Sequence, residues 1–308
     1  MSKNEKHSRN IVRVDSISTI YEWYGLGKPE NPLIALIDYS KMKSSKSLKG
    51  FTFVLGLYVI SMKKVTEMNA IQYGRRHYDF QEGTLMFMTP EQTITIETEE
   101  NPLTGWGLYF HPDLIRKSNL GKNIKNYTFF SYDVHEALHI SGKEKKILKT
   151  ITKTIKDEYS TNLDNHSHTL IISSLELLLN YCDRFYTRQF LTRKSNNLDV
   201  ISKFEKFLKE YFESNKPKIN GLPSVKECAY QMNYSTNYLS DLLKKETGKT
   251  TLEHIHYYII DLAKTILLSS NDSVQEISYQ LGFEYAQQFS RLFKKETGMS
   301  PVEYRSMS

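Results

Sequence analysis

Residues 224–248 read SVKECAYQMNYSTNYLSDLLKKETG, and residues 273–298 read SVQEISYQLGFEYAQQFSRLFKKETG. The second stretch repeats the first, with the opening serines 49 residues apart and the closing glycines 50 apart. One residue has therefore been added in the turn of the second copy. Two copies of a small helical unit in one chain indicate a protein that reads two successive sites on an extended polymer. The expected polymer is double-stranded DNA.

Each copy has the sequence features of two helices joined by a turn. Ser224 with Glu227, and Ser273 with Glu276, fit the capping box that begins a helix. In the turns, Gly282 accepts a positive φ at little steric cost, and Asn233 tolerates it better than most residues. The second helix of each copy is expected to bury an apolar stripe at spacing i, i+3, i+4. The stripes are Leu239, Leu242 and Leu243 in the first copy and Phe289, Leu292 and Phe293 in the second.

The opposite faces of these second helices carry side chains suited to the major groove. Glutamine and asparagine pair with adenine, arginine pairs with guanine, and aspartate accepts from cytosine N4. The predicted base-contacting residues are Asn237, Ser240, Asp241, Ala286, Gln287, Gln288 and Arg291. Lysines nearer the helix ends suit phosphates, which position the protein without specifying sequence. These phosphate candidates are Lys244, Lys245, Lys294 and Lys295.

One residue makes the two copies unequal. Asp241 would repel phosphate if it missed a base, so the first copy is expected to bind DNA more weakly than the second. Between the copies, apolar residues at helical spacing predict one long helix over 251–269. Such a helix spans roughly 27 Å, short of the ~34 Å between major-groove faces one turn apart. Offset packing of the two copies at its ends would supply the difference.

At this point the sequence resembles a known family. The motif runs through ISYQLGF at 277–283, FSRLFK at 289–294 and GMSPVEYR at 298–305. Residues 199–308 resemble the double helix-turn-helix domain of the AraC/XylS family of bacterial transcription regulators. The resemblance implies recognition helices near 236–245 and 286–295, direct-repeat half-sites, and activation through contact with RNA polymerase. The chain departs from the family pattern at Thr251, where proline is frequent, and at Ile259, where arginine is usual.

The first half of the chain has a different character. Short β-prone segments separated by turn residues predict a small barrel or sandwich over 33–140. DFQEG at 79–83, followed by FMTPEQ at 87–92, resembles the strand–turn–strand stretch of the cupin-like sensor barrels common in the same family. Helical periodicity then predicts a helix pair within 141–192, which either covers the barrel or forms a dimer interface.

The predicted fold class is α+β overall, with five regions along the chain. Residues 1–32 are expected to form an N-terminal arm, 33–140 a cupin-like β-barrel sensor and 141–192 the helix pair. Residues 193–198 are expected to be a linker, and 199–308 an all-α domain of two helix-turn-helix units joined by the long helix.

Composition limits the function classes. The chain has 308 residues, a net charge of +6 and two cysteines, which imply no disulfide framework. Residues 193–308 contain 16 Lys and Arg against 14 Asp and Glu, so their net charge does not identify a DNA-binding domain. That identification must come from basic and polar side chains placed on one face of the helices. The absence of a signal peptide and of a spanning apolar run favours the cytoplasm and no membrane partner.

Two signals admit more than one interpretation. A metal-dependent cupin enzyme would need converging histidines, but His77, His111, His135 and His139 form no His-x-His pair, and His254 and His256 diverge on a helix. No enzyme activity and no cofactor are therefore expected. The second signal is a group of aromatic and methionine residues that either lines a ligand pocket or fills the barrel core. These residues are Tyr58, Met62, Met86, Met88, Trp106 and Tyr109.

The sequence thus predicts a DNA-binding transcription regulator, more an activator than a repressor. It would read two major-groove half-sites about one helical turn apart. Its partners would be double-stranded DNA, RNA polymerase, a small-molecule effector in the N-terminal domain and a second copy in a homodimer. In the alternative hypothesis, the regulator has no effector and its barrel serves only dimerisation or partner docking.

Overall fold

The computed structural model describes residues 10–42, 51–64, 83–95, 104–133, 136–160, 164, 166–192 and 194–306. The chain divides into two compact units, Met1–Gln189 and Phe190–Ser308, called here the N-terminal and C-terminal units. The described strands all lie in the N-terminal unit, and the described part of the C-terminal unit is helical. The α+β class is therefore confirmed.

Eight strands, arranged in two sheets, are found among the described residues of the N-terminal unit. They are β1 (Asn10–Val14), β2 (Ile34–Asp38), β3 (Phe51–Leu55), β4 (Tyr58–Lys64), β5 (Thr84–Met88), β6 (Gln92–Thr95), β7 (Thr104–Phe110) and β8 (Leu138–His139). One sheet has the order β1-β3-β6 and the other β2-β7-β4-β5-β8. The strand pairs among the described residues do not close these sheets into a barrel, so the cupin-like barrel is not confirmed. Residues 79–82 of its motif lie outside the described residues.

The predicted N-terminal arm is wrong from residue 10 onward. β1 pairs in parallel with β3, and helix α1 (Ile17–Trp23) follows it, with Ser16 accepting the amide of Thr19 at 3.1 Å as its cap. Val14, Ile17 and Ile20 are buried. Their burial removes apolar surface from water, and this outweighs the polar character of the flanking sequence.

The predicted pocket residues are largely packed. Met62, Met86, Met88 and Tyr109 are buried, and the Tyr58 ring stacks on Phe110 with centroids 5.0 Å apart. Trp106 is half-buried. Beside them lies a small polar network, in which the Tyr39 hydroxyl is 2.7 Å from Ser61 Oγ and 3.3 Å from the Tyr109 hydroxyl. These contacts favour the core interpretation for most of the set.

The described part of the N-terminal unit contains four further α-helices: α2 (Pro112–Ile115), α3 (Asn119–Asn123), α4 (Gly142–Ser160) and α5 (Ser167–Thr192). The last residues of α5 belong to the C-terminal unit. The predicted helix pair is α4 and α5. The backbone amide of Leu36 in β2 donates to the Tyr159 hydroxyl of α4 at 2.9 Å, and burial raises the pKa of Tyr159 to about 12. Arg188 of α5 binds the Glu144 carboxylate of α4 at 2.9 Å. α4 therefore packs against the sheet that contains β2.

The C-terminal unit is built from α6 (Lys194–Glu213), α7 (Lys216–Asn220), α8 (Val225–Met232), α9 (Thr236–Thr247), α10 (Thr251–Ser269), α11 (Val274–Gln280), α12 (Ala286–Thr297) and α13 (Pro301–Ser306). The predicted linker at 193–198 is wrong, because α6 begins at Lys194. Asn197 is buried and donates to Phe190 O and to Glu246 Oε1, both at 2.7 Å. Two hydrogen bonds satisfy its amide there, which the polar sequence alone did not reveal.

The long middle helix has the predicted bounds, 251–269. Its buried residues join both helix-turn-helix copies in one apolar core, together with Phe204 and Leu208 of α6. Ile255, Ile259, Ala263 and Leu267 line its inner face. Ile259 is fully buried, so packing fills the position where the resembled family usually has arginine. Within the described ranges, no helix is both long and apolar enough to span a membrane.

Candidate nucleic-acid interface

The first helix-turn-helix motif consists of α8, a turn and α9. Ser224 accepts the Glu227 amide at 3.0 Å, which is one of the two hydrogen bonds of the predicted capping box. The helix ends at Asn233, whose φ of 59° and ψ of 39° are left-handed, in agreement with the turn prediction. Ser235 then caps α9 by accepting the Tyr238 amide at 3.3 Å. These bonds fix the direction in which α9 leaves the turn.

The second motif consists of α11, a turn and α12. Here the full capping box forms, since Ser273 Oγ accepts the Glu276 amide at 3.2 Å and the Glu276 carboxylate accepts the Ser273 amide at 2.7 Å. Hydrogen bonds from Ser273 lower the pKa of Glu276. Gly282 has a φ of 91° in the turn, as expected. The N-cap residue of α12, Tyr285, makes no side-chain capping bond, so the first amides of α12 suit an anion better than those of α9.

The inner faces of α9 and α12 bury the expected stripes. Leu239, Leu242, Leu243, Phe289 and Phe293 are fully buried, while Leu292 is half-buried. Tyr238 is also buried, which the stripe did not predict. Its ring lies 4.9 Å from Tyr234 and 5.1 Å from Phe190, centroid to centroid. The sequence offered one sign of this burial, because another aromatic residue, Tyr234, lies four positions before Tyr238.

The predicted DNA-contacting residues of α12 lie on its outer face. Gln287, Gln288 and Arg291 are exposed, and Ala286 is half-buried. Lys294 and Lys295 are exposed in the last turn, and Lys295 Nζ lies 3.7 Å from Glu296 Oε1. The geometry brings amide and guanidinium donors together on one side of α12 with the lysines beyond them, which matches base edges flanked by phosphates.

The predicted DNA-contacting residues of α9 are less exposed than those of α12. Asn237, Ser240 and Asp241 are all half-buried, and only Lys244 and Lys245 are exposed. The Ser240 hydroxyl donates to Thr251 Oγ1 at 3.0 Å, so it is bound to the start of α10. The sequence did not show this bond, because it joins two helices. α9 therefore offers fewer available donors than α12, while the expected asymmetry in DNA binding stays a prediction.

Neutralising Asp241 tests that asymmetry. We expect Asp241→Asn to raise affinity for duplex DNA about two- to fivefold at 0.1 M salt, because one repulsion of phosphate is removed. Fluorescence anisotropy titration of the full chain measures it, with Asp261→Asn on exposed α10 surface as the matched control. A sharp fall in affinity would instead make Asp241 a base contact.

α10 connects the motifs as a strut. Its 19 residues span about 28 Å, and both motifs pack on it through the shared core. Arg305 of α13 secures its far end by donating to Leu267 O at 3.1 Å and to Asp272 O at 2.6 Å. These two carbonyls lie at the end of α10 and just before α11. Arg305 thus fixes the second motif to the strut, a role that the motif residues alone did not assign.

Removing the guanidinium should loosen this junction. We expect Arg305→Met to lower the free energy of unfolding by about 1–2 kcal/mol, because two hydrogen bonds from a charged donor are lost. Urea unfolding followed by circular dichroism measures the change. Lys264→Met, on the same strut, is the control. Equal midpoints for Arg305→Met and the control would show that the guanidinium does not hold the junction.

The described residues contain no group of three or more His, Cys, Asp or Glu arranged to hold a metal ion. Burial lowers the pKa of both His254 and His256, and His254 Nε2 lies 2.7 Å from Thr247 Oγ1. His111 accepts the Asp113 amide as a helix cap. His139 pairs with Thr84, and His77 and His135 lie outside the described residues.

Comparison with known proteins bears on the same region. A family model described as a helix-turn-helix domain matches residues 228–307. The lactose operon transcription activator of Staphylococcus xylosus is 25% identical over 186 residues, which are 60% of this chain and 64% of that protein. The HTH-type transcriptional regulator YijO of Escherichia coli K12 is 26% identical over 192 residues, 62% of this chain and 64% of YijO.

Shorter matches concentrate at the C-terminus. The HTH-type transcriptional regulator YtdP of Bacillus subtilis is 35% identical over 82 residues, 27% of this chain and 11% of YtdP. The chain thus spans less than two thirds of the length of each of these relatives. Among solved structures, the C-terminal domain of AraT, a response regulator from Geobacillus stearothermophilus, aligns with 35% of this chain and 85% of that domain at 25% identity, with a TM-score of 0.32.

Proposed function

We propose that this chain, whose C-terminal unit contains an AraC-type helix-turn-helix domain, is a sequence-specific DNA-binding regulator of transcription. The observation that carries the proposal is the pair of motifs packed on the single helix α10. Each motif presents a polar outer face away from a shared apolar core. One rigid unit with two reading helices suits two successive major-groove half-sites on one duplex.

In this function, the two recognition helices have unequal roles. Gln287, Gln288 and Arg291 on α12 read base edges, and Lys294 and Lys295 bind flanking phosphates. On α9, Asn237 is the leading base contact, with Lys244 and Lys245 on phosphates. Because the Ser240 hydroxyl is bound to Thr251, the first motif makes fewer base contacts than the second.

The regulator acts as an activator through contact with RNA polymerase. The experiment is capture of genomic fragments by the full chain, followed by transcription in vitro from the promoters recovered. We expect increased transcript from promoters beside the bound sites when the protein is added. Equal capture of all fragments would contradict sequence-specific binding, and reduced transcript would make the protein a repressor.

The N-terminal unit senses a small-molecule effector or mediates assembly. Assembly into a homodimer is supported by Leu170 and Leu177, which are half-exposed one heptad apart on α5. The alternative remains a regulator without an effector, whose N-terminal unit serves only dimerisation or docking.

A thermal-shift screen of metabolites separates these roles, because a ligand that binds only the folded state raises its apparent stability. A hit that also changes DNA affinity supports gating by an effector. For assembly, Leu170→Glu with Leu177→Glu should convert a dimer to a monomer in light scattering. An unchanged mass would place the dimer interface elsewhere.

A further inference from the structure

A strongly positive surface outside the helix-turn-helix motifs lies on α4. Lys146, Lys149, Lys153 and Lys156 are all exposed there. At 100° per residue they fall within an arc of about 80°, and they extend over about 15 Å along the helix. These four residues are called the lysine stripe. The opposite face of α4 is anchored in the N-terminal unit by Leu148, Ile151, Ile155 and Tyr159, so the stripe faces outward.

The lysine stripe holds much of the positive charge of the first part of the chain. Residues 1–192 contain 25 Lys and Arg against 21 Asp and Glu, a net charge of +4. Residues 142–160 contain six Lys against three acidic residues, a net of +3. The domain that reads DNA carries only 16 against 14. The positive charge of this chain is therefore concentrated on a helix outside its reading motifs.

The stripe is not arranged like an ordinary solvated helix face. On α6, Lys206 pairs with Glu210 and Lys209 with Glu213 at i, i+4. On α4, by contrast, successive stripe lysines stand three or four residues apart and repel one another. No ion pair within the described residues involves a stripe lysine, although Asp157 is four residues from Lys153. Unrelieved repulsion of this kind is expected where an anionic partner binds.

The start of α4 adds to this repulsion. Lys143, Lys145 and Lys146 lie in its first turns, where cations are unfavourable against the positive end of the helix dipole. Glu144, the acidic residue of the first turn, is bound by Arg188. An external anion would therefore relieve both the repulsion along the stripe and the unfavourable dipole interaction.

The chemistry of the stripe favours DNA over a protein partner. Its exposed neighbours on α4 include Thr150, Thr154 and Asp157, and none of these is an aromatic or aliphatic anchor of the kind that dominates protein interfaces. One DNA strand presents a phosphate about every 3.4 Å of helix axis, so the 15 Å of the stripe matches about four phosphates. A tethered second contact also acts at high effective concentration once the reading motifs have bound.

We propose that the lysine stripe of α4 is a second, sequence-independent surface of this protein that binds the phosphates of double-stranded DNA. This proposal rests on the proposed function in one respect: the stripe binds the same DNA molecule that carries the half-sites read by α9 and α12. Its effect is to add affinity and salt dependence without adding sequence preference.

The test compares full-chain variants on two duplexes, the one preferred in selection and a scrambled one, across a series of salt concentrations. The stripe variant carries Lys146→Gln, Lys149→Gln, Lys153→Gln and Lys156→Gln. The matched control removes four other exposed lysines of the same unit, with Lys28→Gln, Lys117→Gln, Lys122→Gln and Lys125→Gln. A third variant replaces the stripe with arginines.

Each lost phosphate contact should reduce the slope of log K against log salt by about 0.9. We expect the stripe variant to lose about 2–4 from the slope and about 10- to 100-fold in affinity at 0.1 M salt on both duplexes. Its preference for the selected duplex should be unchanged, and the arginine variant should keep the wild-type slope. Since the change removes repulsion within α4, the variant should melt no lower than wild type.

Equal slopes for the stripe variant and the control would overturn the proposal. Equal slopes are also the result expected if the stripe binds an acidic protein and not DNA. Loss of preference with an unchanged slope would overturn it as well. If wild type failed to distinguish the two duplexes, the proposed function would fail, while the slopes would still decide whether the stripe binds DNA.

Discussion

We expect Arg291→Ala to lower affinity for the preferred duplex by about 1–3 kcal/mol, or roughly 5- to 150-fold, and to relax specificity at one base pair. The side chain is exposed on the outer face of α12, beside Gln287 and Gln288. A guanidinium that donates two hydrogen bonds to guanine discriminates against the other bases, and alanine leaves those acceptors unpaired. Adding Gln287→Ala and Gln288→Ala should remove most of the remaining preference of the second half-site.

Lys294→Ala is the matched control, three residues further along the same helix. As a phosphate contact, it should weaken binding to all duplexes about equally and reduce the salt slope by about 1. Competition titrations with single-base variants of the site measure both changes. A uniform loss of affinity for Arg291→Ala, with its base preference intact, would assign Arg291 to the phosphates.

We expect Gly282→Ala to lower the free energy of unfolding of the C-terminal unit by about 2–4 kcal/mol. Gly282 has a φ of 91°, and a Cβ there would lie 2.9 Å from both Gly221 C and Pro217 O. Strain and a clash with two backbone atoms therefore combine at the turn between α11 and α12. The turn would have to move away from the segment after α7, and α12 would move with it.

Gly248→Ala separates the two causes. Gly248 ends α9 with a φ of 80°, and nothing lies within 4 Å of a Cβ placed there. It should therefore cost about 1 kcal/mol, the strain alone. Both tryptophans, Trp23 and Trp106, belong to the N-terminal unit. Hydrogen exchange of the α11 and α12 amides should report the loss, while tryptophan fluorescence stays unchanged. Equal effects of the two substitutions would show that the close approach to Gly221 is not limiting.

The sequence predicted the C-terminal unit well because its signals are local. Capping serines, the turn residues Asn233 and Gly282, and i, i+3, i+4 stripes depend on residues within one or two helical turns. The bounds of α10 followed from the same periodicity. Contacts between elements were missed. The bonds of Ser240 to Thr251 and of Arg305 to Leu267 and Asp272 join residues that are distant in sequence.

The N-terminal unit was predicted less completely. Its short strands were recognised, but β1 pairs in parallel with β3 across some forty residues, a long-range pairing with no local signature. For the same reason, the polar stretch at 193–198 gave no sign that Asn197 would find two acceptors or that α6 would begin at Lys194. Composition describes how polar a segment is, whereas its partners decide whether it becomes regular structure.

The central claim is that two motifs on one strut read two half-sites of one duplex. Selection of bound sequences from random double-stranded DNA by the full chain tests it most directly. The predicted result is a site with two half-sites about 10–10.5 base pairs apart, centre to centre, with the stronger preference in the half-site read by α12. Enrichment of a single half-site would reduce the first motif to a positioning element. No enrichment at all would contradict the account.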